Sequence, residues 1–297
     1  MPNASVQAVG ERLVRRDELV YADVDASPDT VVEQPLTIWE RLYSNGVLRK
    51  VLILFCLAAI WEAYSLHMDN SLLFPRFTAT VAAFWDALTN GSLLTQVGNS
   101  VRVLLIGYAA GLILATMLVV LAMMSRIGND LLETLTSMFN PLPAIALLPL
   151  ALIWFGLGTA SLVFVLVHSV LWAVALNTHS GFQGVSSTLR MVGRNYGLTG
   201  FGYISKILIP AAFPSILTGL KIGWAFAWRT LIAAELVFGV SSGSGGLGWF
   251  IYENKNELNI SYVFAGLFTV IIIGLAVENV IFRNIEARTV RKWGMQS

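Results

Sequence analysis

The sequence predicts an all-α, polytopic membrane protein with six transmembrane helices. Of its 297 residues, 56% are hydrophobic and only 12% are charged, and the mean hydropathy is +0.70. Soluble domains carry about 25% charged residues, so this chain lacks the polar side chains needed to cover a water-soluble body of its size. At about 20 apolar residues per spanning helix, it has room for six or seven spans. A large catalytic domain would not fit beside them.

The order of apolar and polar segments gives the domain organisation. Residues 1–36 are acidic and contain no long apolar stretch, which predicts a disordered tail and excludes a signal peptide. Helical spacing predicts an interfacial helix over residues 37–50. The six-span domain covers residues 51–285, a second tail covers 286–297, and prolines predict a kink in the third span. The spans are predicted at residues 51–66, 103–124, 131–155, 162–177, 216–240 and 262–282.

The distribution of Lys and Arg predicts the orientation, because cytoplasmic connections carry an excess of both. If the N-terminus is cytoplasmic, the connections on the outer side of the membrane contain only Arg76, Arg102 and Lys255. Both tails are therefore predicted to be cytoplasmic. Two tails on the same side mean that the number of spans is even. The predicted inner residues are Arg12, Arg15, Arg16, Arg41, Arg49, Lys50, Arg126, Arg190, Arg194, Lys206, Arg283, Arg288, Arg291 and Lys292.

Three connections have distinct characters. The outer segment 67–99 contains an amphipathic stretch around Phe84 and Trp85. The outer loop 241–261 is rich in glycine and is typical of a flexible turn. The inner connection, residues 178–215, is the longest on its side and carries the most specific pattern.

A short amphipathic helix is predicted within this inner connection. Ser186, Ser187 or Thr188 can cap its start, and Gly197 stands where a left-handed turn would end it. The helix is too polar to cross a membrane, so it is predicted to bind a cytoplasmic partner. The alternative is a helix that lies on the inner leaflet. The candidate docking residues are Leu189, Arg190, Met191, Val192, Gly193, Arg194, Tyr196 and Gly197.

Charged residues inside spans are candidates for a solute pathway, because their burial in lipid is costly. Lys221, Arg229 and Glu235 lie in the fifth predicted span. Lys221 and Arg229 can face one cavity, although Lys221 can also extend to the interface. Arg229 is the best candidate for attracting an anion, with pairing to Glu235, Glu62 or Glu278 as the alternative. Glu235 could instead fix its helix against neighbouring elements.

Several classes of function find no support in the sequence. The near-neutral balance of 19 Lys and Arg against 18 Asp and Glu predicts no nucleic-acid partner. The scattered histidines predict no metal site, and His168 is interpreted as a hydrogen-bonded core residue. The G-x-S-x-G match at residues 239–243 follows a membrane helix, so no catalytic residue is assigned. No P-loop stretch is present to bind ATP, and no cofactor is predicted.

The inner connection also resembles a known family. The segment RMVGRNYGLTGFGYISKILIPAAFP is similar to the cytoplasmic loop of ABC importer permeases, with Gly197 at the family's glycine and Ile207, Ile209 and Pro210 at its close. Met191 stands where the family has Glu, and Val192 and Gly193 stand at its two alanine positions. Further similar segments narrow the resemblance to permeases of the nitrate, taurine and aliphatic sulfonate type. They lie at residues 140–158, 219–228, 233–239 and 245–251.

The resemblance implies a type I ABC importer permease in the bacterial inner membrane. Such a permease would pair with two ATPase subunits that dock on the inner coupling loop, residues 178–215. A periplasmic binding protein would deliver a small, anionic solute, and a second permease copy would complete a homodimer. An ion-coupled secondary transporter or channel is the alternative function, and a membrane enzyme is the weakest.

Overall fold

The computed structural model describes residues 45–238 and 245–292 and folds them as helices joined by short turns. Contacts divide the chain into residues 1–56 and 57–297. Of the first unit, residues 45–56 are described, and most of them are exposed. The α-helices are α1 (Gly46–Met68), α2 (Phe77–Thr89), α3 (Ser92–Met124), α4 (Arg126–Phe139), α5 (Leu148–Phe155), α6 (Thr159–Gln183), α7 (Ser187–Asn195), α8 (Gly200–Tyr203), α9 (Ile209–Phe238), α10 (Leu247–Asn256), α11 (Ile260–Ala276) and α12 (Arg283–Arg288).

Single turns of other helix types connect some of these elements. A 3₁₀ turn, Ala144–Leu147, precedes α5, and π-helical turns at Ile204–Leu208 and Val277–Phe282 lead into α9 and α12. With these turns included, five helical stretches among the described residues are long and apolar enough to cross a membrane. They are Gly46–Met68, Ser92–Met124, Thr159–Gln183, Ile204–Val237 and Ile260–Arg288.

The third predicted span is a bent pair of helices. Arg126–Phe139 and Ala144–Phe155 meet at an angle of 88°. The break contains Pro141 and Pro143, whose rings prevent a continuous helical ladder. Counted as one crossing, the pair completes the six spans that the sequence predicts, and the all-α membrane fold is confirmed.

Helix α6 lies at the centre of the packing, between α3 and α9. It is apolar on all sides and is the most buried of the spanning helices described. Glycines on both neighbours allow the approach: a Cβ added at Gly107 of α3 would lie 2.6 Å from Leu166, and one added at Gly219 of α9 would lie 2.8 Å from Asn177. The GxxxG spacings at residues 107–111 and 219–223 therefore serve contacts within the chain.

The structure moves several predicted boundaries. Residues 1–36 and most of the interfacial helix lie outside the described residues, and residues 46–50 belong to α1. The outer connection 241–261 is more than a flexible turn, because its described part contains α10. The inner connection is shorter than predicted, since α6 continues to Gln183 and α9 begins at Ile209. The predicted tail at 286–297 begins inside α12.

Candidate functional site

A cavity of about 280 Å³ lies where the break between α4 and α5 meets α6 and α9. None of the described residues that line it is acidic. The lining combines one guanidinium, several neutral polar groups and an apolar surface. It consists of Asn140, Pro141, Leu142, Pro143, Ala144, Ile145, His168, Ser169, Trp172, Phe226, Arg229 and Thr230.

Arg229 is the cation of this cavity, which we call the Arg229 cavity. It lies nine residues from the C-terminal end of α9, or about 14 Å at 1.5 Å per residue. Its guanidinium carbon lies 5.7 Å from the centre of the Phe226 ring, one turn earlier. Among the described residues it forms no ion pair. The predicted alternative of a pairing with Glu235, Glu62 or Glu278 is therefore not observed.

Two hydroxyl groups link α6 to α9 beside Arg229. Ser169 Oγ donates to Thr230 Oγ1 at 3.0 Å. Together with Asn140 from the helix break, these groups offer neutral hydrogen-bonding atoms close to the cation. None of the three was predicted from the sequence as a site residue, although Thr230 directly follows Arg229 and Asn140 directly precedes the first proline of the break.

His168 and Trp172 contribute rings to the same cavity, one helical turn apart on α6. Both ring nitrogens of His168 and the indole nitrogen of Trp172 are buried and have no hydrogen-bond partner among the residues that the structure describes. The interpretation of His168 as a hydrogen-bonded core residue is therefore wrong. Buried polar atoms without partners are rare, and each calls for an explanation.

The other two charged candidates of α9 lie elsewhere. Lys221 Nζ donates to Glu286 Oε2 at 2.6 Å, and Lys221 does not line the Arg229 cavity. The expectation that Lys221 and Arg229 face one cavity is thus not met. Glu235 is 4% exposed and accepts hydrogen bonds from Ser100 Oγ and Gly248 N, each at 2.8 Å. Its carboxylate ties α9 to α3 and α10.

A second cavity, of about 370 Å³, lies on the other side of the helix break. We call it the His179 cavity. It shares Asn140 and Pro141 with the Arg229 cavity, so the two are neighbours. Its remaining lining is Leu132, Glu133, Thr136, Ser137, Leu176 and His179.

The predicted docking helix is present as α7. Ser186 Oγ accepts from Leu189 N at 3.4 Å and caps the start of the helix. Gly197 has φ +71°, the left-handed conformation that the sequence predicts after the last turn. Gly193 is buried, and a Cβ there would lie 3.0 Å from both Tyr203 and Ile207. The loop therefore packs α7 directly against the segment that leads into α9.

The candidate docking residues divide into two groups. The Arg190 guanidinium donates to the carbonyl oxygens of Val185, at 3.1 Å, and of Phe182, so it holds α7 against the end of α6. Gly193 is packed inside the loop. The exposed members are Leu189, Met191, Val192, Arg194, Tyr196 and Gly197.

The described residues contain no group of three or more His, Cys, Asp or Glu side chains placed to hold a metal ion. The Arg229 cavity offers a cation, hydrogen-bonding groups and an apolar wall. It offers no acid-base pair or nucleophile with an activating partner. This arrangement is suited to binding an anion reversibly.

The part of the chain that contains this site is similar to known proteins. Residues 73–291, which include both cavities and α7, match the family described as binding-protein-dependent transport system inner membrane component. The chain is 30% identical over 242 residues to an ABC transporter permease protein of Methanocaldococcus jannaschii, covering 80% of this chain and 90% of the relative.

Two bacterial relatives have names that include a solute. An aliphatic sulfonates transport permease protein of Escherichia coli is 28% identical over 219 residues, covering 73% of this chain and 82% of the relative. A nitrate import permease protein of Synechocystis is 29% identical over 247 residues, covering 81% and 88%.

Proposed function

The chain belongs to the family of binding-protein-dependent transport system inner membrane components, and from this premise we propose that it passes a small organic anion across the membrane, with Arg229 holding the anion partway. It is a multi-pass membrane protein and the permease subunit of an ABC importer. We infer that the solute is an anion because the Arg229 guanidinium lines a cavity and forms no ion pair among the described residues.

A charged residue inside a span is costly and marks a pathway when no structural partner neutralises it. The guanidinium presents several N–H donors in one plane, which suit the oxygen atoms of a carboxylate, sulfonate or similar oxyanion. Asn140, Ser169 and Thr230 add neutral polar groups beside it. An anion in this cavity would therefore replace water with protein hydrogen bonds.

The lining favours an anion with an apolar body over an inorganic one. The cavity, of about 280 Å³, is larger than an ion as small as nitrate requires. Pro141, Ile145 and Phe226 provide apolar contacts in the same lining as the polar groups. The named relatives include both kinds of permease. For this chain we infer an alkyl sulfonate or a solute of similar chemistry.

ATP hydrolysis belongs to separate subunits in this proposal. Two ATPase subunits dock on the exposed residues of α7 and on Tyr196 and Gly197, with both termini of the permease in the cytoplasm. A periplasmic binding protein delivers the solute from the other side, and a second copy of the chain completes the pathway. The exposed Leu189, Met191 and Val192 support the docking, because apolar side chains on so short and polar a helix indicate a partner surface.

The packing of α7 suggests how docking acts on the pathway. Gly193 rests on Tyr203 and Ile207, which lead through a π-helical turn into α9. A displacement of α7 would therefore reach the inner end of the helix that carries Arg229. Alternate opening of the pathway to the two sides requires such a two-state element.

Reconstitution tests the proposed function. The permease, with the ATPase and binding proteins that co-purify with it, is placed in proteoliposomes. Uptake of radiolabelled ethanesulfonate and of nitrate is then measured with and without ATP. We expect ATP-dependent uptake of ethanesulfonate in preference to nitrate. Preferential uptake of nitrate would overturn the assignment of an organic anion.

The same assay distinguishes an ATP-driven importer from the alternative mechanism, ion-coupled transport. Uptake that persists without the ATPase subunits and collapses with the proton gradient would replace the importer by an ion-coupled transporter.

A further inference from the structure

Three rings meet beside the break between α4 and α5. Phe139, the last residue of α4, stacks on Trp172 with ring centres 5.5 Å apart and planes inclined by 11°. The same Phe139 ring meets His168 edge-on at 6.3 Å, and His168 lies 6.1 Å from Trp172. Phe139 therefore packs against both aromatic residues that α6 contributes to the Arg229 cavity.

The nitrogens of these two rings have no partner within the described part of the chain. His168 Nδ1, His168 Nε2 and Trp172 Nε1 are all shielded from solvent and form no hydrogen bond to residues 45–238 or 245–292. Trp172 is 7% exposed as a whole residue. A buried N–H donor without an acceptor is unfavourable, so another conformation or a bound ligand that supplies the acceptor would be stabilised.

The ring cluster lies beside both cavities. Trp172 lines the Arg229 cavity, and Leu176, one turn further along α6, lines the His179 cavity. Asn140, which directly follows Phe139, lines both. A solute that moves from one cavity to the other would therefore come close to these rings.

We propose that His168 and Trp172 form a second anion-binding station, which Phe139 covers in this conformation. The proposal rests on the proposed function, because the ligand is the same oxyanion that Arg229 holds. Its oxygens accept hydrogen bonds from the indole N–H and from whichever imidazole nitrogen carries a proton. Phe139 lies next to the 88° break, so a change of that bend moves its ring relative to α6 and uncovers the two donors.

Two substitutions separate the donor from the cover. Trp172→Phe keeps an aromatic ring under Phe139 but removes the N–H. In the reconstituted complex we expect the KM for ethanesulfonate to rise by about fivefold or more, since a hydrogen bond to a charged group is lost. Phe139→Ala keeps both donors but removes the cover. It is expected to raise ATP-independent leak of ethanesulfonate from loaded vesicles by about tenfold.

Matched controls come from a second aromatic cluster on the same bent pair. Trp154 and Phe155 pack on Phe164 of α6 with ring centres 5.7 Å and 5.5 Å away, and neither lines a described cavity. Trp154→Phe and Phe155→Ala should leave both KM and leak unchanged. Melting of each purified variant in detergent shows whether it folds, and Phe139→Leu replaces Phe139→Ala if that variant does not.

These measurements distinguish a failure of the second station from a failure of the proposed function. If Arg229→Gln loses uptake but Trp172→Phe keeps the wild-type KM, or if neither Phe139 variant leaks, the second station is wrong while the anion pathway stands. If Arg229→Gln transports ethanesulfonate like the wild type, the proposed anion pathway itself is wrong.

Discussion

The three charged residues deep in α9 are used in two opposite ways. Lys221, on the N-terminal side of Arg229, pairs with Glu286, and Glu235, on its C-terminal side, is enclosed by hydrogen bonds from α3 and α10. Between them, Arg229 lines a cavity without an ion pair among the described residues. The two flanking charges are fixed to neighbouring helices, whereas the charge between them is available for a ligand. A charge within a span thus indicates a pathway only when no structural partner takes it.

Replacing the central cation should break this contrast most strongly. Arg229→Gln is expected to reduce ATP-dependent ethanesulfonate uptake by about 10- to 100-fold, because hydrogen bonds to a charged group contribute about 1.5–3 kcal/mol. Lys221→Met is the matched control, since it removes a cation from the same helix outside the cavity. Equal losses in the two variants, measured in proteoliposomes, would contradict the distinction between the unpaired and the paired charges of α9.

The loop behind α7, which leads into α9, should transmit the action of the ATPase subunits. A β-branched residue is poorly accommodated at φ +71°, so Gly197→Val should distort the loop behind α7. We expect ATP hydrolysis by the complex to continue while ethanesulfonate uptake is lost, with normal insertion into the membrane. Gly202→Val is the control, because an added Cβ there meets no atom within 4 Å. Normal coupling in Gly197→Val would argue strongly against α7 as the docking site.

The surroundings of Glu235 should behave as a structural site. A Cβ at Gly246 would overlap the Glu235 carboxylate, so Gly246→Ala should lower the free energy of unfolding by about 1–3 kcal/mol as the buried hydrogen bonds are disturbed. Gly98→Ala, in α3, meets no atom and should be neutral or slightly stabilising. Thermal unfolding in detergent measures both, and an unchanged midpoint for Gly246→Ala would show that the carboxylate is free to move.

The smallest effect is expected from the ion pair of Lys221 and Glu286. The side chains of Lys221 and Glu286 are 26% and 21% exposed, and pairs that water reaches contribute about 0.2–1 kcal/mol. A double-mutant cycle of Lys221→Met and Glu286→Gln, followed by unfolding in detergent, measures their coupling. A value well above that range, or a loss of ethanesulfonate uptake in the single variants, would assign Lys221 more than a structural role.

Much of the fold was predictable because the signals are local. Apolar runs predict spans, prolines at 141 and 143 predict the break, and Gly197 predicts a left-handed turn. Each depends on residues close together in the chain. The family resemblance, which rests on similar short segments, is confirmed by the match over residues 73–291.

The pairing of side chains was not predictable in the same way. Lys221 and Glu286 are 65 residues apart, and Ser100 and Glu235 are 135 residues apart. Arg190 was expected to face a partner, yet its guanidinium bonds carbonyl oxygens at the end of α6. In each case many residues are possible partners, and spacing along the sequence cannot identify the right one. The pathway residues and the docking role stay predictions, which the variants above test.

The sequence by itself determined that the protein lies in a membrane, how many times it crosses the membrane and to which family it belongs. These conclusions follow from hydrophobic length, charge asymmetry and motif spacing, which are all properties of a linear chain. Only the tertiary structure decided which charged residue is available to a solute. The reason is that a charge is neutralised by what lies within a few ångströms of it, and the packing of α3, α10 and α12 around α9 sets those distances. The packing leaves Arg229 facing a cavity and gives Lys221 and Glu235 partners.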